Sequence, residues 1–142
     1  MKFFLFRGPY GVFPCIMMPQ SNVNNAEDSQ LWFWERDLDD DFYLKSKAFP
    51  TKTLDLSCQE QSSWGQVSLY HIPHGGDNQK WKIVDGNVIC KYQDLRLDIA
   101  MGSGGPGGVG ANVGCCKKND KMNQQWDILV SSMHVSTFNP IN

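Results

Sequence analysis

The plainest chemical potential in this chain lies in two aspartates set inside apolar triplets, Leu54-Asp55-Leu56 and Leu97-Asp98-Ile99. A carboxylate in such a setting accepts several hydrogen bonds, and bonds to a charged group contribute roughly 1.5–3 kcal/mol each. Amide side chains recur downstream of each aspartate, as Asn78-Gln79 and Asn123-Gln124. Tyr70 lies between Asp55 and its amides, followed by His71 and His74. Such groups suit non-covalent recognition better than bond-making. The 3 histidines and 5 cysteines show no nucleophile–base arrangement, so no catalytic residue is expected. Cys115-Cys116 precede Lys117 and Lys118, a setting that could hold a reactive thiol, but half-exposed strand cysteines are the more ordinary expectation. His71 and His74 lack further ligands nearby and no C-x-x-C pair occurs, so no metal is expected. Residues 102–108 contain G-x-G-x-x-G, yet no helix pattern follows and Pro106 interrupts the run. They are expected to form a loop beside the Asp98 region, not a dinucleotide site, and no cofactor is expected.

The elements that must position these groups recur along the chain. Gln30-Leu31-Trp32, Gln79-Lys80-Trp81 and Gln124-Gln125-Trp126 repeat one motif, each followed closely by an apolar residue, Trp34, Ile83 or Ile128. With the two aspartate triplets, they divide the chain into three similar units, at approximately 1–40, 41–86 and 87–142. The second unit is the most legible. Residues 42–46 and 53–56 are predicted strands, separated by a turn at Pro50. Residues 67–70 are a third, with Val67 and Leu69 on one face and Ser68 and Tyr70 on the other. A turn at 74–77 leads to a fourth strand at 79–83, and Asp85-Gly86-Asn87 closes the unit. The third unit repeats the order with strands at 88–90, 95–99, 113–116 and 124–129. Four short strands per unit make an all-β domain of twelve. The tryptophans are expected to be core residues, one bulky ring per unit, each burying on the order of 150–250 Å².

Composition fits one soluble domain. The 142 residues are 41% hydrophobic and carry 13 basic and 15 acidic side chains, a net charge of −2. Neither nucleic acid nor an anionic membrane is attracted by such a balance. No stretch approaches the roughly 20 apolar residues of a membrane span, so no membrane insertion is expected. The apolar run at residues 3–6 is too short for a signal peptide and Arg7 follows it. With an odd cysteine count, the expectation is a cytoplasmic protein with reduced thiols; secretion by a non-signal route stays open.

The segments FYLKSKAFPTKTLDLS, QVSLYHIPHGGDNQKWKI and RLDIA…GANVGCCKKNDKMNQQWDI resemble the ricin B-type lectin family over roughly residues 42–130. The combination of L-D-L, V-x-L-aromatic and N-Q-x-W in fixed order carries the resemblance. It implies a β-trefoil of three repeats with pseudo-threefold symmetry. It also implies shallow sugar pockets, usually for galactose or N-acetylgalactosamine, and no catalysis. The expected partners are therefore glycans and glycoconjugates.

A galactose-like ring offers hydroxyls on its edges and a C–H patch on one face, so its site needs a carboxylate, amides and an aromatic ring. By resemblance, Asp55 is the sugar carboxylate, Tyr70 the stacking aromatic and Asn78 the amide, with Gln79 in support. Ser68 stands where many members carry a larger polar residue. His71 and His74 are rim or turn residues. In the third unit Asp98, Asn123 and Gln124 are kept, but Cys116 replaces the aromatic, and Gly114 would let a sugar approach the backbone. That site is expected to be altered or dead. The first unit keeps Trp32 but has no matching aspartate between residues 3 and 18, so it should bind no sugar. The bland alternative is that each aspartate only bonds backbone amides at a turn. The competing function is a β-trefoil protease inhibitor or other protein-binding trefoil, which would use loops. One or two weak sites also imply a homodimer, with residues 3–6 and the strand-like segment 133–138 as interface candidates.

Overall fold

The computed structural model describes residues 3–5, 13–17, 28–37, 41–57, 64–70, 74–100 and 110–126. Of residues 3–5 and 13–17 only the backbone is described. Ten strands follow in order: β1 (Phe3–Leu5), β2 (Phe13–Met17), β3 (Trp32–Arg36), β4 (Phe42–Ser46), β5 (Thr53–Leu56), β6 (Trp64–Tyr70), β7 (Trp81–Val84), β8 (Asn87–Cys90), β9 (Arg96–Ile99) and β10 (Val113–Cys116). Among the described residues there is no α-helix. The helical pieces are 3-10 turns at Asp28–Gln30, Asp77–Gln79, Tyr92–Asp94 and Met122–Gln124.

All the strand pairs are antiparallel, and seven strands close on themselves. The ring runs β4–β5–β6–β10–β9–β8–β7 and returns to β4. Outside it, β3 pairs with β4, β2 with β6, and β1 with β2. Closure satisfies the backbone of strands of only four to seven residues, none of which would be stable as an isolated hairpin.

β4, β5 and β10 have the expected limits, while β6 begins at Trp64, three residues earlier than expected. The consistent departure is at the Q-x-W motif. Gln79 and Gln124 were expected to open strands; instead Gln30, Gln79 and Gln124 each end a 3-10 turn. In the first two units the strand starts at the tryptophan. The turn lets the glutamine point inward while the tryptophan two residues later does the same. Between β7 and β8, Asp85 and Gly86 have φ of 48° and 76°, the two left-handed residues of a tight hairpin. The Gly86 carbonyl accepts the Trp126 backbone N–H at 2.8 Å, fastening that turn to the third Q-x-W.

The core holds Leu44, Leu54, Leu56, Val67, Leu97 and Val113, with Trp81 and Trp126 buried among them and Trp32 packed partly against the same cluster. Both buried indoles donate to backbone carbonyls, Trp81 to Leu54 and Trp126 to Leu97, each at 3.0 Å. Lys80 is also buried. Its ammonium pairs with Asp37 and lies 4.7 Å from the Tyr43 ring centroid. Burial pushes the Lys80 amine below its usual range, and nearby Lys91 adds to that. Cys90, Cys115 and Cys116 form no disulfide. Cys115 is fully buried, so the expectation of two half-exposed cysteines holds only for Cys116. Ile128 and residues 102–108 and 133–138 lie outside the described residues.

Candidate binding site

Three consecutive residues of β5 receive the whole amide motif of the second unit. The Leu54 carbonyl takes the Trp81 indole, the Asp55 carboxylate takes Gln79, and the Leu56 carbonyl takes Asn78. Gln79 Nε2 donates to Asp55 Oδ2 at 2.8 Å, and Asn78 Nδ2 reaches the same oxygen at 3.3 Å and the Leu56 carbonyl at 3.0 Å. The other end of Gln79 accepts the His74 backbone N–H at 2.9 Å. Asp55 is only 7% exposed. Burial raises its pKa, against the lowering effects of Gln79 and His74.

The same bonds recur in the third unit. On β9, Leu97, Asp98 and Ile99 receive Trp126, Gln124 and Asn123 in the same order. Gln124 Nε2 donates to Asp98 Oδ2 at 2.8 Å, and its carbonyl oxygen accepts the Asn119 backbone N–H at 3.0 Å. Here, however, Asn123 Nδ2 goes to the second carboxylate oxygen, Oδ1, at 3.0 Å. Asp98 is 3% exposed, and burial raises its pKa too. Among the described residues the aspartates therefore bond side-chain amides, not backbone amides at a turn.

The partner strands complete each site. Asp55 faces Ser68 across the β5–β6 ladder, and Asp98 faces Gly114 across β9–β10. Two residues on, Tyr70 and Cys116 occupy equivalent places, as expected from sequence. Val67 and Leu69 are fully buried, and Ser68 is buried opposite Asp55 on the other face. Tyr70 is half-buried, its ring 6.2 Å from that of His74 in an edge-on arrangement. His74 is closer to the chemistry than a rim residue: Nε2 lies 3.5 Å from Asp55 Oδ2. Its Nδ1 accepts the Gly76 N–H at 3.1 Å, so the neutral ring carries its proton on Nε2, toward the carboxylate. His71 lies outside the described residues.

One expectation is corrected. Gly114 was expected to admit a sugar to the backbone, but a Cβ there would collide with the Trp64 indole and stand 2.5 Å from the Gly65 carbonyl oxygen. The space beside Gly114 holds a protein ring. Trp64 is the residue that sequence reasoning missed. The one available signal was a glycine inside a strand, which marks a close approach without naming what approaches.

What the second-unit arrangement can do is accept hydroxyl hydrogens. Asp55 Oδ1 takes no hydrogen bond among the described residues, whereas Oδ2 is held by the amides. Among the described residues no three His, Cys, Asp or Glu side chains group as metal ligands.

No protein-family model matches the chain, and no curated protein matches it. Among solved structures it is similar to a designed 3-fold symmetric protein, ThreeFoil, at 28% identity and a TM-score of 0.62, over 80% of this chain and 78% of that one. It is also similar to a mosquitocidal holotoxin, at 17% identity and a TM-score of 0.65, over 87% of this chain. That match spans only 15% of the holotoxin's length and is a likeness of fold alone. Together these support a trefoil-like fold.

Proposed function

We propose that this chain is a carbohydrate-binding lectin of the ricin B type, a β-trefoil that recognises galactose- or N-acetylgalactosamine-type glycans without catalysis. The observation that carries the reading is Asp55. It is a mostly buried carboxylate whose Oδ2 is fixed by Gln79 and Asn78, while Oδ1 takes no bond among the described residues. Next to it are a half-buried tyrosine and a histidine with its Nε2 proton turned inward. A carboxylate held this firmly loses little freedom when a ligand arrives, which favours hydroxyl recognition in a shallow site. Tyr70 supplies an apolar surface for the C–H face of the ring, while Asn78 and His74 turn their donors to the carboxylate and hold it beside that surface.

The repetition of the network in the third unit supports recognition of one chemical theme twice over. A monosaccharide in such a pocket binds weakly, near the millimolar scale of about −4 kcal/mol. A symmetric dimer would supply further valency. The test is calorimetric titration with lactose and N-acetylgalactosamine of the parent chain and of Asp55→Ala. Saturable binding by the parent that Asp55→Ala loses supports the reading; equal binding by a folded Asp55→Ala removes Asp55 from the site. A parent that binds neither sugar, while it holds a protease or another protein, makes the chain a protein-binding trefoil.

A further inference from the structure

The third unit has a cysteine where the second has its tyrosine, yet an aromatic ring still stands beside its carboxylate. Residues directly opposite on antiparallel strands turn their side chains to the same face. The register sets Gly114 between Asp98 and Gln66, and Cys116 between Arg96 and Trp64. Positions 114 and 116 are two apart on β10, so all six residues share one face. They form two adjacent rungs across β6, β10 and β9.

In the second unit the matching rungs pair Ser68 with Asp55 and Tyr70 with Thr53. The aromatic there sits on the strand next to the carboxylate. In the third unit it sits one strand farther out, about 4.8 Å. The indole makes up that distance by leaning across the face. Its Cζ2 and Cε2 fill the space where a Cβ of residue 114 would be, directly opposite Asp98. Three departures from the second unit thus act together. Tyr70 is replaced by the small Cys116, Ser68 is replaced by Gly114, and the neighbouring unit's Trp64 enters the space so opened. Trp64, Cys116 and Arg96 are half-buried around the nearly covered Asp98. Each Asp98 oxygen holds one amide, and an ionised carboxylate has about four lone-pair sites, so each oxygen keeps acceptor capacity beyond its amide.

We propose that Trp64 is the stacking residue of a second saccharide site built across two units. Asp98 receives the ligand's hydroxyls, and Asn123 and Gln124 fix the carboxylate. The inference rests on the lectin reading of the second unit. The displaced and larger aromatic surface makes the two sites differ in which saccharide they prefer.

The test uses the isotope-labelled full chain carrying Asp55→Asn, which silences the second-unit site, titrated with N-acetylgalactosamine at millimolar concentrations. The Trp64 indole N–H resonance is identified by its absence from a Trp64→Phe version. It should shift saturably with sugar, while the Trp81 indole resonance stays still. Trp64→Ala in the same background should weaken the remaining binding at least tenfold, and Trp64→Phe should weaken it less. A Trp64 resonance that does not move, in a chain whose parent binds sugar through Asp55, overturns the proposal and leaves the lectin reading intact. Equal or tighter binding by Trp64→Ala overturns it as well, since the indole would then be a plug. A parent chain that binds no sugar fails the lectin reading itself.

Discussion

Asp55 and Asp98 occupy the same place in successive units, yet their carboxylates are held differently. Both amides of the second unit converge on Asp55 Oδ2, whereas Asn123 and Gln124 divide between the two oxygens of Asp98. A nearly exact internal repeat has thus left one carboxylate more open than the other.

The difference predicts unequal mutants. Asp55→Ala should weaken binding of N-acetylgalactosamine by a few kcal/mol, the loss of one or two hydroxyl bonds to a charged acceptor. Asp98→Ala should leave the stronger of two binding steps unchanged. It should cost about 1–3 kcal/mol of stability, because buried Asn123 and Gln124 lose their acceptor. Calorimetry for affinity and urea melts for stability separate the two effects.

Acid should switch the site off early. Burial raises the pKa of Asp55 above the ordinary aspartate value of 3.8, so the proton arrives at a higher pH than for an exposed aspartate. Sugar affinity should fall as pH drops through that raised value, because a protonated Asp55 loses acceptor strength. Stability runs the other way. The native state binds this proton more readily than the unfolded state, so stability falls as pH rises from 3.8 through the raised value and is level above it. Asp98 acts in the same direction. Asp55→Asn with Asp98→Asn should flatten this part of a pH series of melts.

Trp81→Ala should destabilise the fold by about 3–5 kcal/mol, as removal of a buried aromatic does. The indole bond to the Leu54 carbonyl goes with it, which frees the backbone next to Asp55. Denaturant melts give the size. Loss of sugar binding with stability unchanged would instead make Trp81 a contact residue.

The Lys80–Asp37 pair should respond asymmetrically. Lys80→Ala leaves Asp37 without its buried partner and should cost about 3–5 kcal/mol. Lys80→Met with Asp37→Asn should cost less than the sum of the single changes. A double-mutant cycle of melts measures the difference.

Much of the site was legible because its chemistry sits in short motifs at a constant interval. Asp55 within two leucines, and Asn78-Gln79 before a tryptophan, could be paired without coordinates because the third unit repeats both. The 3-10 turns ending in Gln30, Gln79 and Gln124 were not legible, because a glutamine two residues before a tryptophan also fits strand alternation. His74 was placed at the rim because nothing in the sequence reveals that Gly76 holds its ring and turns it to Asp55. Trp64 escaped notice for a different reason. Its role depends on β6 pairing with β10, a contact between hairpins far apart in sequence, and side-chain periodicity carries no information about which strands become neighbours.

The seven-strand ring is fastened unevenly. Between β4 and β7 the register holds a single pair, Phe42 with Trp81, and between β8 and β9 a single pair, Ile89 with Arg96. The β4–β5 seam likewise holds a single pair, Lys45 with Thr53, and a closed ladder shares strain around its whole circumference, so these three seams set where it parts under load. If the β4–β7 seam opens, Phe42 loses its partner on that side of β4 while β3 still pairs the other side, and the edge so bared is the kind of surface that recruits other chains. The indole that anchors the Asp55 site therefore also guards the chain against aggregation.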